Sequence, residues 1–154
     1  MRLLPIATIA VFHEHVRLTM DHFAWKPEYA LGDKDIDDQH HYFVGLINKF
    51  YSQFSQSRDT TYQDALIEEL NAYARFHFIS EENMMMRHAY PDYVRHKAHH
   101  RELLDQLGAK ELRLALERTE QRKEEVVGYL IEWFLNHTNR EDRQFTEYLQ
   151  AHAA

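Results

Sequence analysis

The chain has no cysteine among its 154 residues. That absence excludes disulfide scaffolds, thiolate zinc sites, iron–sulfur clusters and cysteine nucleophiles, so any metal must be held by nitrogen and oxygen. Glycine (four) and proline (three) are scarce, and since sheets consume turns in quantity, so few breakers favour long helices. No apolar run approaches the roughly 20 residues of a membrane-spanning helix; the longest, residues 3–12, is interrupted by Pro5 and Thr8. Positive charge is in deficit, with 18 Lys plus Arg against 25 Asp plus Glu and a formal net charge of -7. This argues against nucleic acid and against an anionic membrane surface as partners.

At 154 residues and 44% hydrophobic content, the chain suits a single domain with one core. Residues 3–12 make a poor signal peptide, because only Arg2 supplies a basic end and no small-residue cleavage site precedes His13, Glu14 and His15. The expected location is cytoplasmic. Residues 1–22 are read as an N-terminal extension, for which Met20 offers an alternative start, and residues 23–150 as the folded domain.

Apolar positions recur at helical spacing from Ile36 onward. Ile36, Phe43, Leu46, Ile47, Phe50 and Phe54 form a first stripe, and the polar stretch from Ser52 to Thr61 predicts a turn. A second stripe carries Leu66, Leu70, Tyr73, Phe76 and Met84, ending near His88. Tyr90-Pro91-Asp92 is a boundary, since proline disfavours helix before it and is tolerated in the first turn after it. A third helix is expected from Asp92. Ten of the seventeen residues from Ala109 to Glu125 are charged, which predicts a solvated helix end and a polar connection. The last helix, from about Lys123, has Val126, Val127, Leu130, Ile131, Phe134, Phe145 and Leu149 on its apolar face. The expected architecture is all-α, an antiparallel up-down-up-down four-helix bundle.

What the chain has in excess is histidine, twelve residues of it. Side chains four apart on a helix point the same way and can grip one metal without bending the backbone. His77 and Glu81 have this spacing, as do His96 and His100. An isolated pair in so histidine-rich a chain is usually coincidence. Here every predicted helix carries candidates, with His40 on the first and His137 with a nearby acid on the fourth, and facing helices of a bundle are where metal centres are built. Five imidazoles and two carboxylates exceed a single tetrahedral zinc and suit two metals bridged by the carboxylates.

The segments Ile36-Asp37-Asp38-Gln39-His40, His77-Phe78-Ile79-Ser80-Glu81-Glu82-Asn83-Met84, Tyr90-Pro91 followed by His96 and His100, and Trp133-Phe134-Leu135-Asn136-His137 with Asp142 resemble the hemerythrin family in its single-domain form. Trp25, Tyr29 and Gly32 also fall where the family's lead-in segment has such residues. The resemblance covers residues 23–150. It implies a non-haem di-iron centre that binds dioxygen reversibly, without catalytic turnover. It further implies that His96, His100 and His137 fill one iron, His40 and His77 the other, and that Glu81 and Asp142 bridge the two with an oxo or hydroxo group. Dioxygen would take an open position on the second iron, with nitric oxide as a second gas to consider.

One assignment conflicts with ideal geometry. Asp142 lies five residues after His137, about 140° round a regular α-helix, whereas Glu141 lies almost in line with it. The family pattern selects Asp142, which requires a reach from another part of the core face or a local helix irregularity. Phe43 and Phe134 stand where the family usually has leucine; with Trp133 they are expected to line the gas pocket and to narrow it. Their plain role is core packing. His41, His88 and His99 are expected on the surface. His13, His15 and His22 could at most hold a surface metal. Met84, Met85 and Met86 cannot share one helix face, and core packing of one or two of them is explanation enough.

Rival functions fit less well. Ferritin-like centres need Glu-x-x-His pairs, which are absent, as are His-Glu-x-x-His and Gly-x-Ser-x-Gly. The stronger alternative is the same centre used as an oxygen, nitric oxide or iron sensor acting through a partner protein.

Overall fold

In a computed structural model, residues 23–153 are described. The extension and its histidines, His13, His15 and His22, lie outside the described residues. After a short 3₁₀ turn at Pro27–Tyr29, four helical rods follow: α1 (Lys34–Gln56), α2 (Thr60–Arg87), α3 (Tyr93–Glu117), and a last rod made of α4 (Glu120–Trp133), a π-helical segment (Phe134–Asp142) and α5 (Arg143–Ala151). Each rod packs on the next, and α1 packs on α4, which closes the bundle. There is no strand among the described residues.

Local chemistry sets the ends. Asp33 caps α1 by accepting from the Ile36 amide (3.0 Å), Asp59 caps α2 through the Thr61 amide (2.9 Å), and Thr119 caps α4 through the Arg122 amide (3.2 Å). The lead-in segment is fixed by Asp37, whose carboxylate accepts from the amides of Leu31 (2.7 Å) and Gly32 (3.1 Å). Gly32 takes a left-handed φ of 92° there, and an added Cβ would meet the Gln150 side chain at 2.6 Å.

The core comes in two parts. The larger is built from Phe43, Ile47, Phe50, Leu66, Leu70, Phe78, Leu107, Leu130 and Phe134 and their neighbours. The smaller joins Leu31, Ile36, Met85 and Phe145 near the other end. Along every rod the candidate ligands fall between residues that feed the two: His40 between Ile36 and Phe43, Glu81 between Phe78 and Met85, His96 and His100 between Tyr93 and Leu107, and Asp142 between Phe134 and Phe145. The polar cluster is thus sealed at both ends by hydrocarbon.

Several local expectations are corrected. The first turn is shorter than the polar stretch implies, because α1 continues to Gln56 to bury Phe54. Phe76 leaves the core, 55% exposed, since Ala74, His77 and Phe78 take the inward positions on that turn. The charged stretch 109–125 is not wholly solvated: α3 runs through it to Glu117, burying Glu111 and Leu114, and Lys123 is buried on α4. Lys123 survives burial because its Nζ donates to the Tyr51 carbonyl (3.2 Å) and Ser55 Oγ (2.6 Å), and pairs with Glu120 (2.6 Å). Glu111 is less well served. Asn71 donates to Oε2 (2.9 Å), but Oε1 is buried without a hydrogen bond.

Burial pushes the Glu111 carboxyl up to about 7, the Asn71 hydrogen bond opposing it. A carboxyl raised above its unfolded value favours the fold when protonated, so its contribution is full below pH ~4.5 and is lost as pH rises through ~7. Glu111→Gln should keep the Asn71 contact and remove the penalty, raising stability at pH 8 by roughly 2–3 kcal/mol with little change at pH 4.5. Urea unfolding of both proteins across that range measures this directly.

Candidate metal centre

Seven side chains from all four rods converge between the two cores. His40 comes from α1, His77 and Glu81 from α2, His96 and His100 from α3, and His137 and Asp142 from the π-helical segment. None is more than 3% exposed. These are the seven residues singled out in the sequence as metal ligands, and the fold brings all of them together.

The π-helix resolves the spacing conflict. In it the backbone bonds run i→i+5, as from the Arg143 amide to the Thr138 carbonyl, so residues five apart rather than four share a face. Asp142 therefore turns inward beside His137, with Oδ1 2.9 Å from Nε2. Glu141, the choice of ideal α geometry, faces outward, 3.6 Å from Arg95.

Each carboxylate addresses two groups of rings. Glu81 Oε1 lies 2.7 Å from His96 Nε2 and 3.4 Å from His100 Nε2, while Oε2 lies 3.6 Å from His77 Nε2. Asp142 Oδ1 faces His137 and His96 (3.3 Å), and Oδ2 lies 3.2 Å from His40 Nε2. Donor atoms within 4.8 Å of one another accordingly form two groups, Glu81, His96, His100, His137 and Asp142, and His40, His77, Glu81 and Asp142. The acids belong to both.

The rings touch in two pairs, His40 Nε2 with His77 Nε2 (3.1 Å) and His100 Nε2 with His137 Nε2 (3.2 Å), but the carboxylates are close to the rings without being hydrogen bonded. All four carboxylate oxygens and His96 Nε2 are buried with no aligned partner, a costly arrangement for a core. Crowded donor atoms left without aligned partners fit bound cations. A set of imidazole nitrogens and carboxylate oxygens suits iron, manganese or zinc.

Electrostatics agrees. Burial disfavours charge on every group here, yet the rings of His137, His40 and His96 hold the Asp142 carboxyl well below the usual carboxylate range. Glu81 is lowered too: burial and Asp142 push it up, and His100, His96 and His77 outweigh them. Burial and the neighbouring His40 push His77 down to about 3. His96 is raised, to about 9, because contacts with Asp142 and Glu81 overcome burial. Both carboxyls are thus held toward their charged form, ready to receive cations.

Outer partners hold the rings. His77 Nδ1 donates to Gln39 Oε1 (2.8 Å), and His100 Nδ1 to Glu82 Oε1 (3.0 Å). Gln39 is itself fixed, donating to Ser80 Oγ (3.0 Å) while its carbonyl accepts from the Tyr73 hydroxyl (2.9 Å). Phe78 stacks on His100 (centroids 4.0 Å) and Trp133 on His137 (5.8 Å). Phe134 meets His40 edge to face at 5.5 Å, and Phe43 packs between Tyr73 and Trp133, both at 5.5 Å. His41 and His88 are exposed, as expected. His99 is not: it is half-buried, with Nδ1 3.1 Å from His137 Nδ1. Its spacing from His96 and His100 carried no signal of this, because the contact crosses to another rod.

Comparison with known proteins identifies the kind of domain. The family model described as Hemerythrin HHE cation binding domain matches residues 31–149. The bacteriohemerythrin of Clostridium acetobutylicum is 25% identical over 129 residues, covering 81% of this chain and 99% of that protein. Those of Stenotrophomonas maltophilia and Pseudomonas aeruginosa are 27% and 28% identical, each comparison covering 83% of this chain and 82% of the relative.

The two neighbouring acids of the π-helix separate cleanly by experiment. Asp142→Asn is expected to weaken divalent-cation binding at least tenfold, on the order of a lost charged ligand, and Glu141→Gln to leave it unchanged, as read by equilibrium dialysis with metal analysis.

Proposed function

The chain belongs to the hemerythrin family, and from that premise we propose that its buried centre holds two iron ions, bridged by an oxo or hydroxo group, and binds dioxygen reversibly for storage, delivery or scavenging. His96, His100 and His137 serve one ion and His40 and His77 the other, with Glu81 and Asp142 serving both. The observation that carries this reading is the sharing of both carboxylates between two donor groups of unequal size, five residues against four. The smaller group leaves room for an outside ligand. When bound, a ferrous pair supplies the two electrons that dioxygen takes up and returns.

The protein's own part is orientation and exclusion of water. Gln39 and Glu82 hold protons on the outer nitrogens of His77 and His100, which keeps each Nε2 lone pair turned inward. On the four-residue side, Phe134 covers His40 and is in turn covered by Phe23, Trp25 and Tyr29, with centroids at 5.6, 6.4 and 5.6 Å. That wall is made mostly of ring faces and edges, and a small apolar gas needs no hydrogen bond to pass them. Phe43 and Trp133 extend it. We read the role of this cluster as binding rather than turnover.

Anaerobically reduced protein should contain two irons per chain and develop a charge-transfer band in air that disappears when oxygen is removed. A centre that passes directly to a stable ferric form would sink the carrier reading and favour a redox or nitric oxide role. Phe134→Ala, which opens the wall, should speed irreversible oxidation severalfold in the same spectroscopic assay.

A further inference from the structure

Two of the outer partners of the rings are of a familiar kind, an amide oxygen (Gln39) and a carboxylate (Glu82). The third is not. His137 turns Nε2 toward Asp142 (2.9 Å) and His100 Nε2 (3.2 Å), so in a neutral ligand ring the proton falls to Nδ1. The atom facing that proton is His99 Nδ1, at 3.1 Å. The two rings are tilted at 55° with centroids 4.9 Å apart. His99 stands next to His100 on α3, whereas His137 lies in the π-helical segment, so this contact joins the two rods at the centre itself. The far side of His99 lines a surface cleft of about 400 Å³ with Leu103, Tyr129, Trp133, Asn136 and His137.

We infer that His99 is a positioning residue for the metal centre: its Nδ1 accepts the hydrogen bond from His137 Nδ1 and so fixes the ring orientation and tautomer that present Nε2 to the metal. The need for such a partner is local. Residues in a π-helix sit wider apart than in an α-helix, and the buried Thr138 hydroxyl beside His137 has no hydrogen bond to contribute. Stacking on Trp133 fixes the plane of the His137 ring but cannot distinguish its two nitrogens. The hydrogen bond to His99 does so at Nδ1, the nitrogen turned away from Asp142.

The inference rests on the reading of the cluster as a metal centre, and two measurements keep the two apart. His99→Asn places an amide oxygen about where the imidazole Nδ1 stands, and His99→Leu has nearly the shape of asparagine without an acceptor. Chelator competition with Co(II) should show one of two ions bound about 10–100-fold more weakly in His99→Leu, with a changed visible spectrum, and both recovered in His99→Asn. Equal binding by wild type and His99→Leu, or equal loss in both variants, overturns the inference. A packing role would be met equally by either variant. Independently, nitrogen-15 NMR of the metal-free protein should show coupling across the hydrogen bond between the two Nδ1 atoms, whichever ring carries the hydrogen; its absence overturns the inference without any metal. A wild-type protein that binds no metal overturns the reading of the centre instead.

Discussion

The structure depends on one unfavourable fact, the burial of two carboxylates and five imidazoles in the middle of a helical bundle. Ionised carboxylates removed from water cost several kcal/mol each unless paired and hydrogen bonded. Here Glu81 and Asp142 have close neighbours but no aligned hydrogen bond, so rings alone hold their charge. The deficit is tolerable because apolar packing surrounds it on both sides. Ile36, Met85 and Phe145 close one end, and Phe43, Phe78 and Phe134 the other. A divalent cation bound only to the folded form would turn the deficit into stability, since the donors are unavailable in this geometry to an unfolded chain.

That demand explains where the chain departs from regular form. Three of the four rods satisfy it with ordinary helical spacing, four residues from His77 to Glu81 and from His96 to His100, and a single ring from α1. The fourth rod must deliver an imidazole and a carboxylate to neighbouring points while also placing Phe134 and Phe145 in separate cores. A π-helical stretch does this by widening the turn, so Asp142 joins His137 and Glu141 is left to Arg95 at the surface. Irregular backbone of this kind is found preferentially at functional sites, where geometry outweighs hydrogen-bond regularity.

How much of this the sequence discloses follows from the range of the forces involved. Helix existence and the paired ligands are local, governed by periods of three and four, and they are legible in Ile36 to Phe54 or in His96 and His100. The inward turn of Asp142 was not derivable from ideal geometry, which selects Glu141; it came from the resemblance to a family, and only the backbone gives its cause. His99 was read as a surface residue because its partner is thirty-eight positions away. Charge patterning misled at residues 109–125, where Glu111 and Lys123 bury long side chains among partners on α1 and α2. Phe76 failed for the opposite reason, an apolar residue displaced outward once Ala74, His77 and Phe78 had claimed the interior.

The two halves of the centre are then unequal in a way that bears on access. The five-residue side is braced by hydrogen bonds, from His100 to Glu82 and from His137 to His99, and it borders the cleft between α3 and α4. The four-residue side has one such brace, from His77 to Gln39, and is otherwise faced by rings. Phe134 bears on His40, and the lead-in residues Phe23, Trp25 and Tyr29 bear on Phe134. Phe23 is tied down at its backbone, its amide donating to Asn48 Oδ1 (3.1 Å) and its carbonyl accepting from Asn48 Nδ2 (2.6 Å). Phe23, Tyr29 and Phe134 are also buried in the larger core, so this wall parts by rotation of packed rings, more slowly than the picoseconds to nanoseconds of exposed side chains. Such openings are of the size of the diatomic ligand proposed for this centre. On the proposed reading, exchange of a gas at this centre depends on the packing of Phe134.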